Sequence, residues 1–371
     1  MKFRLRKKWL VVVLLALIVA AVSGCQTIGY YAQAIKGEGQ ILANRKPIDK
    51  LISDPHTPAD LRQKLELVQR MRAFAKDSLK LPVDNYYLKY TDVHREYVVW
   101  NVQAASEFSL QPKMWWYPVV GSLEYRGYFS EAGANRCAAP LRKKGYDVYV
   151  DGVEAYSTLG WFKDPILNTF ITRSEPELAE VLFHELGHKR VFARGDIDFN
   201  EAYATTVGQE GAHRWLKANG ETNLLEKYNV ALARDNQFVH LVMSTRTRLE
   251  KLYGDTLDKD GKVKAAKVPP LPPAELKQEK EKIFADLQAD YQKLKASWGG
   301  YSGYDDWFAG QVNNAQLNTI ANYYDYLPSF KRLLEMNGGN MEKFYQEVER
   351  LSKIPKDERH QKLRDLAAPP G

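Results

Sequence analysis

Residues 184 to 188 read His184-Glu185-Leu186-Gly187-His188, and the rest of the chain is interpreted outward from this stretch. On a helix, positions i and i+4 lie on one face, about one turn apart. Two imidazoles at those positions can bind one metal ion, and the glutamate beside the first can reach a water molecule next to it. The pattern therefore predicts a metal-binding helix whose carboxylate acts as a general base.

The flanking residues predict that this stretch is helical. Ser174 and Glu177 have the spacing of a capping box, and Pro176 falls in the first turn, where its missing N–H costs nothing. Gly195 is typical of a helix end, so we expect the helix to extend from Ser174 to Gly195. Apolar residues recur at three- and four-residue intervals along one face: Leu178, Val181, Leu182 and Leu186.

A second helix is expected to supply a third ligand. A catalytic zinc ion usually has three protein ligands and one position open to water. Eleven residues after His188 begins Phe199-Asn200-Glu201-Ala202-Tyr203-Ala204-Thr205, which has the pattern of a helix start with Asn200 near its N-cap. Glu201 is the predicted ligand, and with His184 and His188 it completes a site for one zinc ion.

Two nearby aspartates are alternative third ligands. Asp196 and Asp198 lie between the two predicted helices, in what reads as a tight turn. Aspartate-liganded zinc sites exist, so this alternative to Glu201 stays open.

The N-terminus has the organisation of an export signal. Five positive residues precede an apolar run from Trp9 to Val22, which is too short for a membrane span and fits a signal peptide. The run ends in Val22-Ser23-Gly24-Cys25, which resembles the bacterial lipobox. That resemblance implies that residues 1–24 are removed and that a lipid on Cys25 anchors the protein in the membrane. The alternative is an uncleaved single-span anchor.

The charge argues against a nucleic-acid-binding protein, and the cysteine content argues against a disulfide-bonded one. The formal charge is +7, but residues 1–24 contain five positive and no acidic residues, so the mature chain carries +2. No basic stripe with interleaved aromatic residues is present, and we expect no nucleic-acid partner. With Cys25 lipidated, Cys137 has no partner for a disulfide.

The remaining pattern predicts an α+β fold that is predominantly helical. A small antiparallel sheet, including a strand at 146–150, precedes the two-helix zinc site, and the C-terminal part is helical. Asp151 to Thr158 is the candidate edge strand for pairing with an extended peptide. We expect one zinc peptidase-like domain at 25–371, with a helical hairpin inserted at about 223–297.

Several stretches resemble the bacterial family of predicted lipoprotein aminopeptidases, a group of glutamate-liganded HExxH zinc peptidases. Besides the metal helices, the resemblance rests on four segments: Gly29-Tyr30-Tyr31-Ala32-Gln33, Tyr125-Arg126-Gly127-Tyr128-Phe129, Ala155-Tyr156-Ser157-Thr158-Leu159-Gly160-Trp161-Phe162-Lys163-Asp164-Pro165 and Asn313-Asn314-Ala315. It implies a zinc-dependent peptidase of the cell envelope, with Gln26 after the lipidated cysteine indicating the periplasmic face of the outer membrane. The gap between the metal helices is shorter than in thermolysin-like enzymes.

The resemblance also implies roles for residues outside the metal helices. Related enzymes place a tyrosine or histidine donor at the oxyanion that forms from the scissile carbonyl. Tyr323 is the first candidate, Tyr156 the second, also as a substrate-binding residue, and His213 the third. An aminopeptidase needs a carboxylate for the substrate ammonium, and Glu154 is available for it.

Two other function classes stay open on the sequence alone. The protein could be a zinc-binding envelope scaffold without activity, or a zinc endopeptidase. Both retain the metal helices, so the motif does not separate them from an aminopeptidase.

Overall fold

The described part of the chain contains fourteen helices and ten short strands. The computed structural model describes residues 29–117, 121–155, 163–258 and 262–367, without the side chains of residues 322 and 323. The expected α+β fold, predominantly helical with small sheets, is confirmed. No helix in these ranges combines the length and apolar character needed to cross a bilayer.

Helices occur before, between and after the strands in the sequence, and the longest ones are in the C-terminal half. They are α1 (residues 29–43), α2 (Ile48–Ser53), α3 (Ala59–Asp77), α4 (Glu131–Lys143), α5 (Asn168–Ile171), α6 (Glu175–Arg190), α7 (Ile197–Ala218), α8 (Thr222–Tyr253), α9 (Pro273–Ser297), α10 (Asp305–Phe308), α11 (Asn314–Tyr324), α12 (Leu327–Met336), α13 (Met341–Lys353) and α14 (Lys356–Ala367).

The strands form two three-stranded sheets and two hairpins. They are β1 (Lys46–Pro47), β2 (Lys89–Thr91), β3 (Val99–Ser106), β4 (Trp115–Tyr117), β5 (Gly121–Leu123), β6 (Tyr125–Tyr128), β7 (Tyr146–Val153), β8 (Ile166–Leu167), β9 (Thr256–Leu257) and β10 (Val263–Lys264). The sheet β6–β3–β7 is antiparallel, as expected, whereas β1–β2–β8 contains one parallel pairing, between β2 and β8.

Helix α1 covers one edge of the antiparallel sheet. The side-chain amide of Gln33 donates to the Gly127 carbonyl at 3.4 Å and accepts from the Phe129 amide at 3.0 Å, as a neighbouring strand would. Gly37 packs against the Phe129 ring, which occupies the space of a Cβ. An edge covered in this way is closed to pairing with another chain.

Helix α6 begins as the sequence predicts and ends earlier. The capping box of Ser174 and Glu177 is formed, and Leu178, Leu182 and Leu186 are buried. The helix ends at Arg190 because Val191 is extended (φ −138°, ψ 137°), so the expected end at Gly195 is wrong. Gly195 instead lies in the connecting turn with φ +77°.

Helix α7 begins at a different cap from the one expected. Asp196 is the N-cap and accepts from the Phe199 amide, whereas Asn200 lies in the first turn. The Asn200 side chain donates to the Ala193 carbonyl at 2.8 Å and accepts from the Ala193 amide at 2.7 Å. These buried hydrogen bonds fix the turn between the metal helices.

Glycines allow α6 and α7 to pack closely along their length. A Cβ on Gly208 would lie 2.7 Å from the Glu180 carbonyl oxygen and 3.1 Å from the Cβ of His184. A Cβ on Gly211 would lie 2.6 Å from the Phe183 ring. The two helices approach at these small residues, and that approach sets the distance between their metal-binding side chains.

Helix α11 joins the metal helices to the sheet. It packs against α7, β3 and β7. Asn314, at its start, is fully buried: its amide donates to Asp147 at 3.0 Å, and its side chain donates to the carbonyls of Ser106, Glu107 and Ser109. Helices α8 and α9 pack against each other beside this junction.

We expect Gly208→Ala to destabilise the fold by about 1–3 kcal/mol, because overpacking a helix contact against backbone forces the helices apart. Metal affinity should fall as well. Denaturant unfolding and calorimetric zinc binding measure the two effects. The control is Gly39→Ala in α1, where nothing lies within 4 Å, and it should be neutral or stabilising. Equal effects of the two variants would contradict the packing argument.

Candidate metal centre

Three side chains from α6 and α7 converge on one point. Nε2 of His184 lies 3.1 Å from Nε2 of His188, and Oε2 of Glu201 lies 3.3 Å and 3.6 Å from the same two atoms. The His188 side chain is 6% exposed, and the others are partly buried. The sequence-predicted ligands are therefore brought together as a candidate metal-binding group.

The donor set and its spacing fit a tetrahedral zinc ion. Zinc binds imidazole nitrogen and carboxylate oxygen at about 2.0–2.1 Å, which separates neighbouring ligands of a tetrahedron by about 3.3 Å. The observed separations of 3.1, 3.3 and 3.6 Å bracket that value. Three electron-rich atoms this close repel one another unless a cation or protons lie between them.

The charges of the three groups are coupled. Burial opposes ionisation of Glu201, but the charge of His188 and hydrogen bonds with both histidines outweigh it and hold its pKa well below the usual range. Burial likewise opposes protonation of His184, yet Glu201 raises its pKa. Protons and a metal ion therefore compete for the same atoms, and metal affinity is expected to fall as the pH falls.

Glu185 lies beside this group, and the pKa of its carboxyl group is higher than that of an ordinary glutamate. Burial raises the pKa of Glu185, with the charge of Glu201 adding and those of both histidines opposing. Its Oε2 atom is buried and has no hydrogen-bond partner among the described residues. A carboxylate in this state is suited to taking up and releasing a proton.

Buried polar contacts surround the two helices. Lys189, one turn after Glu185, forms an ion pair with Asp164 at 2.8 Å, and both side chains are at most 4% exposed. Glu180, one turn before His184, accepts a hydrogen bond from the Tyr228 hydroxyl at 2.7 Å. These contacts hold α6 in place on both sides of the histidines. They join segments that are too far apart in the sequence for a local pattern to predict the contact.

Tyr125 of β6 is a neighbour of the site that the sequence pattern did not single out. Burial and then the charge of Glu201 raise the pKa of its phenol, so the two side chains are close. Tyr125 lies in one of the segments that carry the family resemblance, but nothing in its local pattern indicates a role. Its position follows from the sheet register, where it pairs with Gln103 of β3.

The remaining candidates have different outcomes. Cys25 and Tyr156 lie outside the described residues, and so does the side chain of Tyr323, although its backbone is in α11. His213 lies on α7 twelve residues after Glu201, which is about 18 Å along the helix, too far to act on the same substrate atom. Glu154 forms an ion pair with Arg173 at 2.6 Å and is already neutralised.

A second group, Asp196, Asp198 and His360, also has metal-ligand spacing. Here the Asp196 carboxylate already contacts Arg359 at 2.5 Å, His360 at 2.9 Å and Lys356 at 3.3 Å. A metal ion would meet the charges of Arg359 and Lys356, so this group is an ion-pair network that holds α14 against the N-cap of α7. Asp196 is thus engaged away from the histidines and is not the third ligand.

The network should stabilise the fold in a pH-dependent manner. Hydrogen bonding with His360 and the charges around it, opposed by burial, lower the pKa of Asp196 from 3.8 to about 2. A depressed carboxyl pKa stabilises the folded state above pH 4, and this stabilisation, about 2 kcal/mol, is lost as the pH falls from 4 to 2.

We therefore expect Asp196→Asn to be less stable than the parent at pH 5 and to approach it at pH 2, measured by denaturant unfolding across that range. Asp286→Asn is the control, because Asp286 also pairs with an arginine but at a 44% exposed site. A constant gap between Asp196→Asn and the parent at every pH would contradict the ion-pair account.

One comparison with known proteins gave a match, to a family model. Searches among curated proteins and among solved structures gave no significant match. A family model described as "Putative aminopeptidase" matches residues 29–363, which include both metal helices and the sheet. The chain belongs to this family of putative aminopeptidases.

Proposed function

We propose that the protein is a zinc-dependent aminopeptidase held by lipid in the bacterial cell envelope. The observation that carries the proposal is the convergence of His184, His188 and Glu201 within 3.6 Å, with the unpartnered carboxyl of Glu185 beside them. Membership of an aminopeptidase family supports peptide hydrolysis as the reaction. A scaffold role for zinc gives no reason for a buried, unpartnered carboxyl at this position.

The residues divide the reaction among them. His184, His188 and Glu201 would hold the ion. Zinc in such a site supplies Lewis acidity, which polarises the scissile carbonyl and acidifies water. Glu185 takes a proton from the attacking water as its oxygen bonds to the carbonyl carbon, and passes that proton to the leaving nitrogen as the C–N bond breaks.

The developing oxyanion needs a hydrogen-bond donor. Tyr323 and Tyr156 remain our proposed donors, with Tyr156 also a substrate contact. Tyr125 is a third candidate because its phenol lies near Glu201. A phenol is protonated at neutral pH and can donate its O–H to a developing oxyanion.

Lipidation of Cys25 would place the enzyme on the periplasmic face of the outer membrane, as the lipobox-like sequence implies. The segment from Cys25 to the start of α1 is only a few residues long, so the anchor lies eight residues from Gln33, which covers the edge of β6. Acyl chains contribute about 0.8 kcal/mol per buried CH₂, and several together hold a protein firmly to a bilayer.

Glu185→Gln should retain one zinc ion per chain and lose about 100- to 10,000-fold in kcat, because a general base contributes that much. Metal analysis and hydrolysis of a panel of short unblocked peptides measure the two properties. His184→Ala is the companion variant and should lose both metal and activity. Full activity of Glu185→Gln would refute the mechanism, and a metal-bearing parent that cleaves no peptide would favour the scaffold role.

Cys25→Ser should release the protein from the membrane fraction, because the serine oxygen is not lipidated. Fractionation of a bacterial host, with incorporation of labelled palmitate, tests this. Ser23→Ala, a conservative change in the same segment, should leave anchoring intact. Unchanged membrane association of Cys25→Ser would indicate an uncleaved apolar anchor instead.

A further inference from the structure

One face of the antiparallel sheet is polar although its central strand is covered on both edges. In β3, apolar residues alternate with Asn101 and Gln103, which are half-buried. The register places Asn101 between Gly127 and Asp151, and Gln103 between Tyr125 and Tyr149. An antiparallel sheet commonly packs one face on the core and leaves the other polar, so this face is suited to contact water or a polar ligand.

This polar face is directed toward the metal helices. The opposite face, with Val102 and Val148, packs against α4. Helix α11 packs against both α7 and the strands β3 and β7, so it links the sheet to the helix that carries Glu201. Its residue Asn314 bonds to Asp147, which is on the same face of β7 as Asp151. The polar face therefore lies on the α11 side of the sheet, with Tyr125 within electrostatic range of Glu201.

Asp151 carries the only carboxylate in the two rows of this face around Asn101 and Gln103. Its Oδ1 atom is buried and has no hydrogen-bond partner among the described residues, and none of their cationic side chains forms an ion pair with it. Burial raises the pKa of Asp151 to about 7. A hydrogen bond with the Asp151 backbone opposes this rise, but it leaves Oδ1 unsatisfied. An unsatisfied buried carboxylate oxygen costs folding free energy, and functional sites are where such groups persist.

We propose that Asp151 binds the cationic group of a peptide substrate. The chemistry is that of an ammonium or guanidinium ion, whose N–H groups donate to the unpartnered oxygen and whose charge replaces the missing partner. Such a group comes either from the peptide N-terminus or from a lysine or arginine side chain. The inference rests on the proposed function, since it takes a peptide as the ligand.

Other carboxylates fit this role less well. Glu154, one residue after the end of the strand that carries Asp151, is neutralised by Arg173. Glu38 also has a buried unpartnered oxygen, but it belongs to α1, beside Asp164, and not to the polar face of the sheet. Glu38 is therefore the matched control: a buried carboxylate whose removal should not change recognition of a cation in the cleft.

The test measures binding rather than turnover. Four tetrapeptide amides, X-Ala-Ala-Ala, carry either lysine or norleucine at X and either a free or an acetylated N-terminus. Titration calorimetry on the Glu185→Gln background gives their affinities without hydrolysis. Asp151→Asn in that background should weaken the cationic probes that use this site about 10- to 100-fold, the contribution of hydrogen bonds to charged groups. Glu38→Gln should leave all four affinities unchanged.

The probes identify the source of the cation. If Asp151→Asn weakens binding only of the probes with a free N-terminus, Asp151 binds the terminal ammonium. If it weakens binding only of the probes with lysine, Asp151 belongs to a side-chain pocket. The doubly neutral probe, acetyl-norleucine, should bind the parent and Asp151→Asn equally. Equal affinities of all four probes for the parent, or no effect of Asp151→Asn on any cationic probe, would overturn the proposal.

These outcomes are separate from those of the proposed function. If the parent hydrolyses peptides and binds zinc while Asp151→Asn binds every probe normally, only the cation site fails. If the parent hydrolyses none but distinguishes cationic from neutral probes through Asp151, the site stands as a binding site and the enzymatic proposal fails. Because the comparison of the four probes on the Glu185→Gln background needs no change at Asp151, a poorly folded Asp151→Asn does not prevent the test.

Discussion

The contact between α6 and α7 is the constraint on which the candidate site depends. Two histidines on one helix supply only two ligand atoms. The third must come from the next helix and be placed to within about an ångström of the same point. Gly208 allows that approach because a larger residue would meet the carbonyl of Glu180. Three electron-rich donors this close repel one another, so the packing around them must hold this geometry, and a cation between them would relieve the repulsion.

Buried ion pairs around α6 and α7 help to hold this geometry. Lys189 and Asp164 neutralise each other beside Glu185, and Arg359 with His360 neutralises Asp196 at the N-cap of α7. Each pair is buried, so breaking it by removing one partner leaves an uncompensated charge. Helix α14 thereby holds the start of α7, the helix that carries Glu201.

The sequence predicted what depends on local pattern. The capping box of Ser174 and Glu177, the i, i+4 histidines and the helix carrying Glu201 all follow from short-range rules, and each is found. The cap of α7 was assigned to Asn200 instead of Asp196, because both residue types cap helices and only the turn distinguishes them. The Asp196–His360 contact spans 164 residues, and the nearness of Tyr125 to Glu201 arises from sheet register. No periodicity in a single chain encodes either.

The pairing of buried carboxylates bears on which ligands the candidate site favours. Among the described residues, Glu38, Asp151 and Glu185 each have a buried carboxylate oxygen without a partner, and burial raises the pKa of all three. Elsewhere buried carboxylates such as Asp164 and Asp196 are paired with cations of the chain itself. Glu185 lies beside the two histidines and Asp151 on the polar face of the sheet, so two of these three unpartnered oxygens belong to residues that we propose act on the substrate. A site organised in this way favours ligands that bring positive charge, which is what a metal ion and a peptide amine have in common.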